Sequence, residues 1–192
     1  GIMLCDPPYT DTDYTIVKAQ LFNRGLKENG GIFLHTQGWA VIAEAMLGNG
    51  NRAYEYLRAY LPAAQNKIAE IREIEPYVLS QSTHTPYSPR HGASRIPWLT
   101  GSATWTYYAI THYILGIRPE YEGLQIDPCI PESWKGFTVM RKFRACNLNI
   151  VVKNEHAVQK GVKYIVLNGK QLNGGFVPFS EMKEENEVLV VM

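Results

Sequence analysis

This chain is short of several things that would narrow its role at once. It has no uninterrupted apolar run near the ~18 residues that a membrane helix needs. It has no charge surplus: 19 Lys and Arg stand against 18 Asp and Glu, a formal charge of +1. That balance lacks the basic footprint of a nucleic-acid binder and offers neither an acidic tail nor a polybasic membrane patch. Cysteine is scarce. Cys5, Cys129 and Cys146 are three in number with no metal-like spacing, which argues against a disulfide framework and for a reducing compartment. Aspartate is limited to Asp6, Asp11, Asp13 and Asp127. Asp11 and Asp13, in TDTDY, read as a turn and helix cap, so the paired carboxyls of a glycosidase are not evident. Nucleophile-elbow, zinc-protease, P-loop and dinucleotide fingerprints are all missing. The chain starts at Gly1 and reads as a piece of a longer protein.

What is present is a globular composition, 45% hydrophobic over 192 residues, with 12 Tyr, 6 Phe and 4 Trp. Such a chain buries roughly 70% of its unfolded surface. Aromatic faces beside polar turns suit the apolar faces and polar rims of sugars, although any one ring serves equally as core filler.

The pattern changes near residue 120. Before it, apolar residues recur at helical spacing. A helix is predicted from Thr36 to Leu47, with Trp39, Ile42, Ala43, Met46 and Leu47 on its buried face and Gly48 as its stop. Asn51 is the expected N-cap of the next helix, where Ala53, Leu57, Tyr60 and Leu61 share a face before Pro62. A third helix is expected from Ala63 to Arg72. Residues 75–97 carry four prolines and many hydroxyls and read as a long ordered loop. A further helix is expected from Thr100 to Leu115, its face formed by Trp105, Tyr108, Ala109, His112 and Leu115. After Pro119 the segments FTVMRKFRA, LNIVVKN, KYIVLNG and EVLVVM read as strands of an antiparallel sandwich. Asn168-Gly169 marks a hairpin turn. Helices followed by strands place the chain in the α+β class.

Two helix entries draw attention. His35-Thr36 opens one helix and Thr100-Gly101-Ser102 opens another. Unsatisfied N–H groups and a partial positive charge suit an anion there, with Thr100 and His35 adding side-chain donors and Gly101 giving close backbone approach. Thr36 and Thr100 serve equally as plain N-caps. Lys27, in KENGGIF, is placed to reach the same cleft, or to be a solvated loop lysine. Gln81 has a carboxamide able to pair with sugar hydroxyls, or to stabilise its loop. His84 and His91 lack a third partner for a metal. His112 reads as a core histidine and His156 as surface. Residue patterns alone stop at a helical part with a polar cleft and an anion site.

The ordered set KENGGIFLHTQGWAVIAEAMLGNGNRAYEYL, EPYVLSQ, RIPWLTGSATW, YILGIRPEYEGLQIDPCIPESWKGF and MRKFR resembles the inverting glycoside phosphorylases of the cellobiose and chitobiose phosphorylase family. The likeness covers nearly the whole chain. It implies later helices of an (α/α)₆ barrel over 1–118 and an antiparallel, jelly-roll-like β-sandwich portion over 119–192. It implies cleavage of a β-linked disaccharide by inorganic phosphate with inversion, giving an α-sugar 1-phosphate, with phosphate as co-substrate and no cofactor or metal. Carried across by position, His35, Thr100 and Gly101 correspond to phosphate ligands. Lys27 and Gln81 correspond to residues holding the sugar at the cleaved end, and Tyr77 and Glu75 to the acceptor side. The family's general-acid aspartate and a phosphate-binding arginine belong to an upstream segment and have no match here. The resemblance therefore implies a C-terminal part, inactive alone, whose partners are the missing N-terminal part of the enzyme, the sugar and phosphate. It also implies a cytoplasmic location and a homodimer. The competing expectations are a non-catalytic carbohydrate-binding or scaffold piece and the phosphorylase-like domain of a cyclic glucan synthase.

Overall fold

The computed structural model describes all residues, 1–192. It is a mixed α+β structure with two compact units. The first holds residues 1–41 and 55–107, the second residues 42–54 and 108–192.

The first unit opens with an irregular segment fixed by its own polar groups. The Thr15 N–H and hydroxyl both donate to Asp13 Oδ1, at 2.7 and 2.6 Å. This is the turn expected of TDTDY. Buried Asn29 ties the segment together, donating to the carbonyls of Tyr9 and Phe22 and accepting from the Tyr9 N–H. A short strand, β1 (Ile32–Phe33), leads directly into α1 (Leu34–Met46). The next helix, α2 (Gly50–Tyr60), buries Ala53, Leu57 and Tyr60 as its spacing predicts. Asn51 is not its cap, because the helix already includes Gly50, and the Asn51 carboxamide accepts the Glu132 N–H instead. A 3₁₀ stretch (Pro62–Ile68) and a short α3 (Ala69–Arg72) replace the single helix expected over 63–72.

Residues 75–97 are not simply a loop. They contain strands β2 (Ser80–Thr83) and β3 (Ser94–Pro97), which pair antiparallel. With β1 on the other side of β2 they form a three-stranded sheet. Serine and threonine hide this hairpin from a hydrophobic reading. Ser80, Ser82 and Ser94 are buried where a sheet ordinarily places apolar residues. Last in the unit comes α4 (Ser102–Tyr108), which passes without a break into a π-helical turn, Ala109–Ile114.

The buried sides of α1 and α4 differ from the predicted ones. On α1, Leu34, Gln37, Val41 and Ala45 are buried, whereas Trp39, Met46 and Leu47 are exposed. On α4, Ser102 and Thr106 are buried, and the Trp105 ring meets the Trp39 ring edge-on, with centroids 5.5 Å apart. The physical reason is close helix packing over Gly38. A Cβ there would stand 3.1 Å from the Trp105 backbone, so α1 approaches α4 where α1 has no side chain. Trp39 and Trp105 lie beside that contact, touching each other and partly exposed.

The second unit carries two sheets. Strands β4 (Ile117–Pro119), β5 (Gly123–Ile126) and β10 (Phe176–Pro178) form one, in the order β10-β5-β4. Strands β6 (Gly136–Phe143), β7 (Cys146–Lys153), β8 (Tyr164–Leu167), β9 (Lys170–Asn173) and β11 (Glu185–Val191) form the other, in the order β6-β7-β11-β8-β9. Its core follows the period-two rule. Leu148, Ile150 and Val152 on β7 and Val188 and Val190 on β11 are all at most 2% exposed. Each such side chain contributes roughly 1.5–3 kcal/mol. The Asn168-Gly169 turn joins β8 and β9 with φ of 50° and 87°, as its sequence requires. One pairing departs from the antiparallel expectation: β11 runs parallel to β7 over seven residues. The long connection from β7 returns β11 to the sheet centre in the same direction.

Lys160 closes the end of α1 within this unit. Its ammonium donates to the Ala45 carbonyl at 2.9 Å and lies 3.6 Å from Asp127 Oδ2. A cation at a helix C-terminus is favourable, and Gly48 (φ 86°) ends the helix as expected. No helix is long and apolar enough to cross a membrane.

Candidate functional site

His35 lies in the first turn of α1 and Thr100-Gly101 immediately precedes α4. The close packing at Gly38, one turn beyond His35, brings these positions together across 65 residues of sequence. His35 Nε2 is 2.6 Å from Thr100 Oγ1, and the Gly101 N–H donates to the same nitrogen at 3.0 Å. The imidazole also sits edge-on to the Phe33 ring.

Proton accounting fixes the roles. The Gly101 N–H can only donate, so Nε2 presents its lone pair and the imidazole proton sits on Nδ1. The Thr100 hydroxyl then donates to Nε2. Two donors, one backbone and one side-chain, thus point at a single spot, held there by the imidazole. An anion that displaced the imidazole nitrogen would find both donors free to it.

Behind Thr100 is a residue that the sequence pattern did not single out. Ser102 is fully buried. Its N–H donates to Thr100 Oγ1 at 3.1 Å, its Oγ stands 3.0 Å from the Thr100 hydroxyl, and its own hydroxyl donates to the Ser80 carbonyl at 3.0 Å. The signal in the sequence was only a serine two positions after a threonine, which is common at any helix start.

The other candidates are distributed around this cluster. Gln81, next to Ser80 on β2, is half-buried, and its Oε1 is shielded from solvent with no protein donor. Lys27 occupies a tight turn at φ 48°, its ammonium 5.2 Å from the centre of the Phe22 ring. Gly31 is required by this turn, because a Cβ there would come within 2.4 Å of the Lys27 nitrogen. Glu75 and Tyr77 form a separate group with Trp98. The Trp98 indole N–H donates to Glu75 Oε1 at 2.9 Å, which holds that carboxyl below the usual carboxylate range. Tyr77 is exposed and meets Trp98 edge-on, with centroids 6.3 Å apart.

The loop joining β2 and β3 walls a surface hollow of about 580 Å³, in the size range of small-molecule sites. His84, Tyr87, Ser88 and Arg90 line one side, and Tyr9, Phe22 and Arg24 line another. His84 is 7% exposed, with Nδ1 2.7 Å from Ser88 Oγ. Burial, then the charges of Arg95 and Arg90, push its pKa down against the opposing pull of Glu73. His112 stacks on Tyr108 at 4.4 Å and is also pushed down, first by burial. No three His, Cys, Asp or Glu side chains gather in a way that could hold a metal ion.

The sequence profile of the glycosyl hydrolase 94 superfamily catalytic domain matches residues 1–116. The chain belongs to this superfamily. Other members of known function resemble it along its full length. The N,N'-diacetylchitobiose phosphorylases of Vibrio proteolyticus and Vibrio furnissii are 41% and 39% identical to it over all 192 residues. The solabiose phosphorylase of Paenibacillus borealis is 31% identical over 178 residues, 93% of this chain. The chain spans 24%, 24% and 23% of these three proteins. It thus spans about a quarter of the length of these relatives.

Proposed function

We propose that this chain is the C-terminal part of a disaccharide phosphorylase. The complete enzyme cleaves a β-linked disaccharide of the chitobiose or cellobiose type with inorganic phosphate. The observation that carries this reading is the convergence of His35, Thr100 and Gly101 within 2.6–3.0 Å. Similarity to three disaccharide phosphorylases supports it over a non-catalytic binding piece, and so does the length of the match over a glucan synthase domain.

In this mechanism phosphate is the nucleophile. One of its oxygens bonds to the anomeric carbon from the face opposite the leaving group. The glycosidic C–O bond breaks with its electron pair, and an upstream aspartic acid gives the leaving oxygen its proton. The product is an α-sugar 1-phosphate. His35, Thr100 and Gly101 hold phosphate for this attack, together with an upstream arginine. Gln81 meets a hydroxyl of the sugar being cleaved through its carboxamide, and Lys27 contributes from its glycine turn. Glu75 and Tyr77 shape the acceptor side, and the 580 Å³ hollow beside the β2–β3 loop extends it.

The helices belong to an (α/α)₆ barrel of which residues 1–118 supply the later part, followed by a β-sandwich portion in 119–192. The exposed aromatic stripes of Trp39 and Trp105 then pack against the rest of the barrel. The reaction needs no organic cofactor or metal, the enzyme is cytoplasmic, and it works as a homodimer. The 192-residue chain alone is inactive, because it carries no counterpart of the general acid. The test is phosphorolysis of N,N'-diacetylchitobiose and cellobiose by the complete enzyme, followed by proton and phosphorus NMR. An α-configured sugar 1-phosphate is expected. Free sugars with no phosphate ester overturn the proposal.

A further inference from the structure

We propose that Ser102 is a positioning residue of the phosphate site, holding the Thr100 hydroxyl where an anion meets it. This rests on the phosphate site proposed above and adds a residue to it.

The reason is how few ways the Thr100 proton can be placed. Its single proton goes to His35 Nε2 at 2.6 Å, and the Ser102 hydroxyl proton goes to the Ser80 carbonyl, so the 3.0 Å approach of the two oxygens carries no bond of its own. The Thr100 oxygen accepts the Ser102 N–H at 3.1 Å. When phosphate takes the Gly101 N–H, the pairing of Gly101 with His35 is broken and the imidazole is free to turn or to donate. The Thr100 oxygen is held during this exchange by the Ser102 N–H, and the Ser102 hydroxyl anchors that residue by donating to the Ser80 carbonyl. Ser102 is inaccessible to solvent, so no water can take over its bonds.

A second consequence follows from the other end of the relay. The Ser102 hydroxyl donates to the carbonyl of Ser80, and Ser80 precedes Gln81 on β2. The relay Thr100–Ser102–Ser80 therefore joins the phosphate side to the strand that carries the proposed sugar ligand. Ser102 sets the offset between nucleophile and sugar through two fixed hydrogen bonds. Thr106, also buried on α4, bonds the Tyr60 hydroxyl and shares none of these contacts.

The experiment compares KM values of Ser102→Ala in the complete enzyme. Loss of one buried partner should raise KM for phosphate roughly tenfold. In the synthetic direction, KM for the sugar 1-phosphate should rise in step, while KM for the acceptor sugar stays within about twofold, because the acceptor makes no use of the relay. Ser102→Cys keeps the volume but replaces the hydroxyl with a weak donor and acceptor, and should fall between wild type and Ser102→Ala. If Ser102→Ala does not fold, the cysteine variant decides by the same comparison. A folded variant with wild-type phosphate KM, while Thr100→Ala raises it, overturns the positioning role and leaves the phosphate site intact. An equal rise in all three KM values also overturns it, since that marks a merely structural residue. If Thr100→Ala and His35→Ala leave phosphate KM unchanged as well, the phosphate site itself is wrong.

Discussion

Gly38 governs how closely α1 approaches α4, and substitution there separates stability from site geometry. In Gly38→Ala the new Cβ begins 3.1 Å from the Trp105 backbone, whereas ordinary contact starts at 3.4 Å. The required shift is therefore about 0.3 Å (3.4 minus 3.1). Alanine in a helix interior gains about 1 kcal/mol over glycine. Mild overpacking costs about 1 kcal/mol. The two nearly cancel, so Gly38→Ala should stay within about 1 kcal/mol of wild type. Gly38→Val adds two methyl groups and a stiff χ1 at the same place, at a cost of about 2–3 kcal/mol. It should also push the helices apart by on the order of 1 Å. The Gly101–His35 bond, now 3.0 Å, then passes beyond the ~3.2 Å range of a good hydrogen bond. The assay is urea denaturation beside phosphate KM in the complete enzyme. Gly38→Ala should raise phosphate KM less than about threefold and Gly38→Val about tenfold. A Gly38→Val enzyme with wild-type stability and phosphate KM would refute the packing account.

Other perturbations test the rest of the structure. Asn154 is fully buried, donates to the carbonyls of Trp134 and Val158 and accepts the Val158 N–H. Asn154→Ala should cost about 3 kcal/mol, roughly one per bond, and a loss below 1 kcal/mol in urea denaturation would contradict this. Burial lowers the pKa of His84 and of His112 below the ordinary histidine value of 6.5, so the unfolded chain takes up their protons first. Their effect is absent at neutral pH, and stability falls as pH drops below about 6.5. His84→Gln should flatten part of that decline, and an unchanged slope would remove His84 as a source. The Cys129 thiol is buried and pushed up to about 11, and Cys146 is buried as well, whereas Cys5 is half-buried. Thiol labelling at pH 8 with peptide mapping should therefore modify Cys5 and spare the other two until the protein unfolds.

Legibility in the sequence tracked how each element is stabilised. The strands of the second unit were visible because LNIVVKN and EVLVVM alternate against one apolar interior. The β8–β9 hairpin was visible because Asn168-Gly169 suits positive φ at both turn positions. The buried face of α2 was visible because it packs within its surroundings through Ala53, Leu57 and Tyr60. The face of α1 was read the wrong way round and that of the later helix only in part, since Ala109 is buried as expected while Trp105 and Tyr108 are exposed. The two helices meet at Gly38, a residue without a hydrophobic signal, and their tryptophans stay partly exposed beside that contact. The β2–β3 hairpin escaped notice because hydroxyl side chains fill its buried positions. As for the site, the two helix entries at His35 and Thr100-Gly101 were legible as compatible with one anion between them, and the family likeness assigned them to phosphate. Ser102 was invisible because its role lies in a three-dimensional relay to Ser80. The parallel placement of β11 beside β7 is topological and leaves no local mark.

The central claim is that His35, Thr100 and Gly101 hold the attacking phosphate, and His35→Ala in the complete enzyme tests it most directly. Initial rates are measured over a grid of phosphate and disaccharide concentrations. The account predicts a phosphate KM raised at least about tenfold, with disaccharide KM within about twofold of wild type. A folded His35→Ala enzyme with wild-type kcat and phosphate KM would contradict it.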